Sequence, residues 1–273
     1  MNFICDTNNE PQTFKVVVKT AKPQRIRIKV YDPNNPNTVY TYRTKDIRGE
    51  EAFFVRLPLS PKKCAISVYN ELNGNLKKGH DKTFDIVSKQ RIPLQRRLEC
   101  FKGISKTDWS AIKFIEQFSE RAGYLSAGGS VYFSDDGKYR IDYLDVIKDV
   151  NGRELRTPAR ISQSKGIIEV SRKHFIQYTV PMRIAILLHE WAHFYKNARP
   201  TDEIEADLNG LLVYLALGYP RIEAHLAFIQ VFKNSPSDLN VNRHKILSKF
   251  IDEFESYNFK CVTPSEVYNG ARK

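Results

Sequence analysis

Apolar and polar residues alternate in short runs along the first ninety residues of the chain. Residues 25–31 alternate strictly, with basic side chains at every second position and isoleucine or valine between them. A period of two predicts a strand with one buried face and one basic outer face. Similar runs predict further strands at residues 14–19, 39–43, 53–57, 65–69 and 83–87.

Turn-forming residues separate these runs, at residues 32–37, 60–61 and 73–74. Several short strands joined by tight turns predict a small antiparallel β-sandwich. A basic, irregular segment follows at residues 90–106. We therefore expect a β-sandwich interaction domain at residues 1–95 and a second domain at residues 107–273.

The second domain mixes helical periods with short strands, so the chain as a whole is predicted to be α+β. Thr107 can cap a helix to about residue 122, with an apolar stripe of Trp109, Ile112, Ile115 and Phe118. Four apolar runs predict a small mixed sheet, from residues 131–133, 139–146, 160–161 and 166–171. Four helices follow, at about 181–197, 202–218, 220–233 and 242–257. Thr201 or Asp202 can cap the second of these.

Composition limits the class of protein. The 273 residues are 41% hydrophobic and include 16 Phe and 14 Tyr, which is enough for one or two packed cores. The longest clean apolar run, residues 184–188, is too short to span a bilayer, and the N-terminus lacks the pattern of a signal peptide. We expect an intracellular or virion protein without a membrane partner.

Charge and cysteine usage limit the partners. Residues 1–100 carry 19 Lys and Arg against 10 Asp and Glu, whereas the rest of the chain carries 24 against 21. A basic N-terminal domain could bind nucleic acid or an acidic protein surface, and the same charges are equally compatible with a sheet face that contacts only solvent.

The cysteines are scattered and form no CxxC pair: Cys5, Cys64, Cys100 and Cys261. This spacing favours reduced thiols over a disulfide framework or a cysteine zinc site.

The pattern that carries chemistry is the HExxH sequence His189-Glu190-Trp-Ala-His193. On a helix the two histidines stand one turn apart on one face, so both rings can reach one metal ion. Glu190 lies about 100° around the helix from His189, where it can take a proton from water at the metal. The flanking residues 184–195 are mostly apolar, so two hydrogen-bonded core histidines are the alternative.

A third protein ligand is predicted on the following helix. Glu203 and Asp207 share a face, whereas Glu205 points about 200° away from Glu203, so only one of the two glutamates can be a ligand. We predict that Glu203 binds the metal and that Asp207 lies behind it and orients a ligand histidine. Gly210 extends this face and would let the helix approach the first one closely.

These motifs resemble the gluzincin metallopeptidases, in which HExxH is followed by a Glu-x-x-Ala-Asp helix. The segment from Glu203 through Asp207 to Pro220 is similar to the small minigluzincins and to related membrane-embedded peptidases, although this chain lacks their transmembrane helices. The resemblance covers about residues 107–235 and implies a zinc site in a zincin-like domain. It also implies that residues 166–171 form the edge strand for an extended peptide. The gap from His193 to Glu203 is shorter than is usual in that group.

The sequence around HExxH, which follows a β-rich N-terminal domain, also resembles zincin-like proteins of crAss-like tailed bacteriophages.

Five other side chains are candidate donors to the oxyanion of a tetrahedral intermediate: Tyr178, Tyr195, Tyr214, His225 and His244. Any one of them is equally compatible with a core or surface role.

Three functions follow from this sequence. The first is a zinc-dependent endopeptidase acting on peptide or protein substrates, with Glu190 as the base. The alternative is a structural or assembly protein of a virion, built on a zincin scaffold, whose basic β domain contacts a partner. A nucleic-acid-binding module is supported by charge alone.

Overall fold

A computed structural model describes residues 1–74, 81–97, 104–234 and 237–256. The chain divides into two compact units, Met1–Gln95 and Arg96–Lys273. The predicted α+β class is confirmed: the chain has an antiparallel sheet of N-terminal strands, a second small mixed sheet and, in the described ranges, six helices. None of the helices in these ranges is long and apolar enough to cross a membrane.

The first unit is a five-stranded antiparallel sheet built on two long strands. Its strands are β1 (Asn2–Asp6), β2 (Gln12–Asp32), β3 (Asn35–Leu57), β4 (Lys63–Asn70) and β5 (Asp85–Pro93). They lie in the order β1-β4-β2-β3, and β5 pairs with the first half of β2. Four runs predicted as separate strands are halves of β2 and β3, because a register shift between Thr20 and Gln24 interrupts the pairing without ending either strand.

The basic outer face predicted for residues 25–31 is present in the second half of β2. Ile26, Ile28 and Val30 are fully buried. Arg27 and Lys29 alternate with them and are only half-buried. Burial of every second side chain therefore fixes which face of this strand carries the positive charge.

The sheet of the second unit places a different strand at its edge from the one predicted. Its strands are β6 (Ser130–Phe133), β7 (Arg140–Leu144), β8 (Ala159–Ile161) and β9 (Ile167–Ser171), in the order β6-β7-β9-β8. The prediction that residues 166–171 form the edge is wrong, because β9 pairs with β7 on one side and with β8 on the other. The turn that ends at Gly166 has a positive φ of 66° there, and it folds β8 onto the outer side of β9.

The helices of this unit are α1 (Lys106–Arg121), α2 (Arg172–Phe175), α3 (Val180–Tyr195), α4 (Glu203–Ala216), α5 (Arg221–Asn234) and α6 (Asp238–Glu255). Ser105, rather than Thr107, caps α1, because Ser105 and Asp108 bond each other's backbone N–H in a capping box. Trp109 is 40% exposed and lies outside the buried stripe of α1. Asp202 caps α4 by accepting a hydrogen bond from a backbone N–H of its first turn.

Helix α3 is the centre of the second unit. It contacts α1, α4, α5, β8 and β9. Its Leu187, Leu188 and Trp191 are fully buried. Gly210 of α4 packs against it so closely that a Cβ at that position would lie 2.9 Å from the backbone nitrogen of His189. The close approach expected from Gly210 is therefore present, and it brings α4 within reach of the histidines.

Candidate metal centre

Three side chains from α3 and α4 converge on one point. The Nε2 atoms of His189 and His193 are 3.1 Å apart. Each carboxylate oxygen of Glu203, the first residue of α4, lies 3.5 Å from one of these nitrogens: Oε2 from that of His189 and Oε1 from that of His193. His189, His193 and Glu203 thus form a group that could hold a metal ion.

The spacing of these donor atoms fits a tetrahedral ion. Two bonds of about 2.1 Å that meet at a tetrahedral angle separate their donor atoms by about 3.4 Å. The observed separations are 3.1 Å between the histidines and 3.5 Å from each histidine to a different oxygen of Glu203, and one donor atom from each residue lies within 4.8 Å of the others. Two imidazole nitrogens and one carboxylate are a ligand set that suits zinc and leaves a fourth position for water or substrate.

A buried ion pair lies behind the donor group. Oδ1 of Asp207 is 2.8 Å from Nδ1 of His189, which is where the sequence predicted Asp207. Arg243 of α6 donates from Nε and Nη2 to the two carboxylate oxygens of Asp207, at 2.7 and 2.9 Å. Its Nη1 is 3.1 Å from Glu203. Arg243 was not predicted, although a buried aspartate in a helix next to HExxH indicates that a cation is needed nearby.

The short segment between the two ligand helices is held by a second glutamate. Nδ1 of His193 lies 2.7 Å from the backbone carbonyl oxygen of Pro200. The Glu205 carboxylate accepts hydrogen bonds from the backbone N–H groups of Ala198 and Arg199, at 2.9 and 3.2 Å. Glu205 therefore faces this segment and not the donor group, and it supports the carbonyl that orients His193.

Glu190 lines the same cavity without belonging to the donor group. The backbone N–H of Ile161 in β8 lies near the Glu190 carboxylate and acts to lower its pKa. Ser162 donates to Ile167 within the ladder, so the N–H of Ile161 points away from β9. Burial raises the pKa of Glu190 above its ordinary value, and the charge of Glu203 acts in the same direction.

The charges of the site shift the pKa values of its ligands in opposite directions. Burial alone would lower the pKa of His189, but the carboxylates of Asp207 and Glu203 outweigh burial and raise it to about 10. Burial would raise the pKa of Glu203, but His189 and Arg243 lower it to about 2. Burial and the neighbouring His189 lower the pKa of His193. A metal ion binding here would have to displace the proton on His189.

The donor group opens into a cavity of about 320 Å³. One wall is residues 157–161, which include β8. Arg243 lies over the ring of Phe232, with 4.7 Å between the guanidinium carbon and the ring centre. The opposite wall is apolar and comes from α3 and α5: Ile186, Ala227, Phe228, Val231 and Phe232. The cavity thus has a polar end at the donors and an apolar wall beside it.

The structure does not bring the predicted oxyanion donors into this cavity. Its lining, among the described residues, includes none of Tyr178, Tyr195, Tyr214, His225 and His244. Tyr195 and Tyr214 donate instead to backbone carbonyls. His225 and His244 lie beside each other, with ring centres 6.1 Å apart. Arg243 is the cationic donor beside the ligands.

No protein-family model and no curated protein matches this chain. Its function must therefore be argued from the geometry of the site.

Proposed function

We propose that this protein is a zinc-dependent endopeptidase with a gluzincin-like site. The observation that carries the proposal is the placement of four side chains on one cavity. His189, His193 and Glu203 bring donor atoms within 4.8 Å of one another, and Glu190 lines the same cavity without joining them. A purely structural metal site usually closes its coordination with four protein ligands.

Glu190 supplies the proton transfers that peptide hydrolysis requires. When bound, zinc polarises the scissile carbonyl and lowers the pKa of a water molecule to about 7. Glu190 takes the proton of the attacking water and passes it to the departing amine. Its raised pKa suits both steps.

The edge strand β8 supports binding of an extended substrate. The ladder bonds of the neighbouring residues leave backbone groups of Ala159 and Ile161 pointing away from β9. An extended peptide can add to such an edge as a further strand, with its main chain held by hydrogen bonds. Since residues 159–161 line the cavity, a peptide bound there would pass the donor group.

The apolar wall indicates which side chain the substrate presents. Phe228 and Phe232 are almost fully buried, and with Ile186 they line the side of the cavity next to the ligands. Burying a large apolar side chain there would contribute about 1.5–3 kcal/mol. We expect cleavage beside leucine, phenylalanine or a similar residue.

The test compares the wild type with Glu190→Gln, in metal content and in cleavage of a peptide library. Glutamine has nearly the same shape but cannot accept the water's proton, so the variant should keep about one zinc per chain and lose cleavage. Wild-type protein stripped with a chelator is the control, and added zinc should restore its activity. A wild type that binds no zinc would refute the proposal.

The alternative predicted from the sequence, an assembly protein on a zincin scaffold, gives a different result in the same experiment. Zinc-loaded wild type would then cleave nothing in the library. Any assembly with a partner through the basic first unit would be unchanged by Glu190→Gln. That combination would replace the endopeptidase proposal.

A further inference from the structure

Two cysteines of the first unit lie directly opposite each other in neighbouring strands. In the antiparallel pairing of β1 with β4, Cys5 is the partner of Cys64. Both are reduced in this structure. Cys5 is half-buried, whereas Cys64 has no exposed surface. Opposite residues of an antiparallel pair project from the same face, so the two thiols are neighbours.

The hydrogen bonds around the pair set its spacing. Thr7 donates to the carbonyl of Lys62, and Val68 donates to the carbonyl of Met1. Hydrogen-bonded and non-bonded pairs alternate along the ladder, so Cys5 and Cys64 are a hydrogen-bonded pair with Cα atoms about 5.5 Å apart. That distance lies inside the range found for disulfides.

The Cβ atoms of a hydrogen-bonded pair are somewhat farther apart than those of a relaxed disulfide. The Cβ–Cβ distance of opposite residues is about 4.5–5.5 Å, and hydrogen-bonded pairs have the longer values in this range. In a disulfide the Cβ–Cβ distance is about 3.5–4.5 Å. Closing the bond therefore requires a shift of about 1 Å. β1 can make this shift because it lies at the edge of the sheet, where β4 is its one partner among the described strands. A bond formed under such strain is more easily reduced than a relaxed one.

We propose that Cys5 and Cys64 are a redox-sensitive pair that forms a reversible cross-strand disulfide. Oxidised glutathione is sufficient as the oxidant. The thiolate of half-exposed Cys5 attacks it, forms a mixed disulfide and releases one glutathione thiolate. Cys64 then attacks the sulfur of Cys5 and expels the second, so two protein thiols are oxidised and two glutathiones carry away their protons.

The environment of Cys5 sets the rate of the first step. Burial raises the pKa of this thiol, although Lys89 and Arg91 act in the opposite direction. Only the thiolate attacks, so oxidation should accelerate as the pH rises above neutrality.

The disulfide would fasten the N-terminal strand to the sheet. It closes a loop of about sixty residues, and cross-links over long loops restrict the unfolded chain strongly. The oxidised protein should therefore unfold at a higher temperature than the reduced protein, and a dithiol reductant should reverse the difference.

The test uses the full chain with Cys100→Ser and Cys261→Ser, two positions outside the described residues, as the background. After incubation with oxidised glutathione, this protein should lose both thiols and about 2 Da, the two hydrogens given up on disulfide formation. Peptide mapping should join the peptides containing Cys5 and Cys64. Retention of both thiols, or a stable glutathione adduct on Cys5, would refute the proposal.

Two variants keep this result interpretable. Cys5→Ser in the same background should lose no thiol to a disulfide, because the accessible member is gone. Cys64→Ala should trap glutathione on Cys5, because the resolving thiol is missing. Cys64→Ser, which keeps the shape of cysteine, replaces it if the alanine variant fails to fold. Each variant keeps a single thiol, so disulfide-linked dimers of either one would show that the oxidation joins two chains and not the two strands.

Discussion

The carboxylate of Asp207 has no exposed surface, so burying it is costly unless the fold supplies hydrogen-bond and charge partners. Arg243 is such a partner, through two hydrogen bonds. We expect Arg243→Ala to lower the free energy of unfolding by about 3–5 kcal/mol, because it removes both hydrogen bonds of the guanidinium to a buried carboxylate and leaves His189 as its remaining charged neighbour. Urea unfolding in a chelator measures this apart from metal binding.

Arg221→Ala is the matched control, since Arg221 and Asp252 form an exposed ion pair at 3.7 Å. Such pairs contribute about 0–1 kcal/mol. Equal losses in the two variants would contradict a special role for Arg243.

The two glutamates at the start of α4 differ in what they contact. Glu203→Ala should weaken zinc binding strongly because it removes one of three donors. Glu205→Gln should change it little, because the amide oxygen can still accept a backbone N–H of the segment at 198–199. Competition with a chromophoric zinc chelator compares the affinities. The reverse order would mean that Glu205 holds the metal.

The raised pKa of His189 predicts an alkaline loss of stability in the metal-free protein. A group whose pKa is higher in the folded state stabilises that state below its unfolded value, and the gain disappears as the pH rises through the folded value. For His189 these values are 6.5 and about 10, so the melting temperature should fall between them.

Zinc should abolish this loss, because it replaces the proton on His189. Zinc binding near neutral pH should also release about one proton, which calorimetry in buffers of different ionisation enthalpy detects. Metal-free stability that rises from pH 6.5 to 10 would contradict the assignment.

At the scale of elements, the contact of α3 with α4 depends on Gly210. An alanine there would place Cβ 2.9 Å from backbone atoms of Leu188 and His189, which cannot move aside as a side chain could. Alanine favours an isolated helix by about 1 kcal/mol over glycine, so loss of stability in Gly210→Ala would report the helix contact alone. We expect that loss, together with weaker zinc binding. A stabilised variant with full zinc affinity would contradict it.

The sequence predicted those parts of the site that depend on local geometry. The spacing of His189 and His193 is set by the helical period, and that of Glu203 and Asp207 follows from the same period on the next helix. The strand order was not predictable in this way, because the position of β8 depends on how a turn folds it onto β9. Arg243 was missed because its partners lie far away in the chain and meet it only through the packing of α6.

The fold class was predictable because it depends on periodicity, whereas strand length was not. A run ends in the sequence where the alternation breaks, but β2 and β3 continue through their irregularity because each keeps its partner. The halves of a long strand therefore look like two strands when only the pattern is available.

At the scale of the whole molecule, the division after Gln95 predicts that the first unit folds alone. A fragment of residues 1–95 should show a strand-rich circular dichroism spectrum and a cooperative thermal transition, because these residues form one compact unit around a single sheet. If the proposed zinc site is correct, the second unit, expressed from residue 96, should bind zinc as tightly as the full chain, because all three candidate ligands lie within it. A first fragment that unfolds without cooperativity would show that the two units depend on each other.

The three donors and the base lie on two consecutive helices joined by a short segment, whereas the pairing of β1 with β4 joins residues about sixty positions apart. Contacts between near neighbours in the chain cost little loop-closure entropy and can form early in folding. The α3–α4 hairpin is thus suited to be part of the folding nucleus of its unit. Interactions that are already formed in the folding transition state change the folding rate more than the unfolding rate. Zinc bound to this hairpin would therefore mainly accelerate folding and change the unfolding rate little.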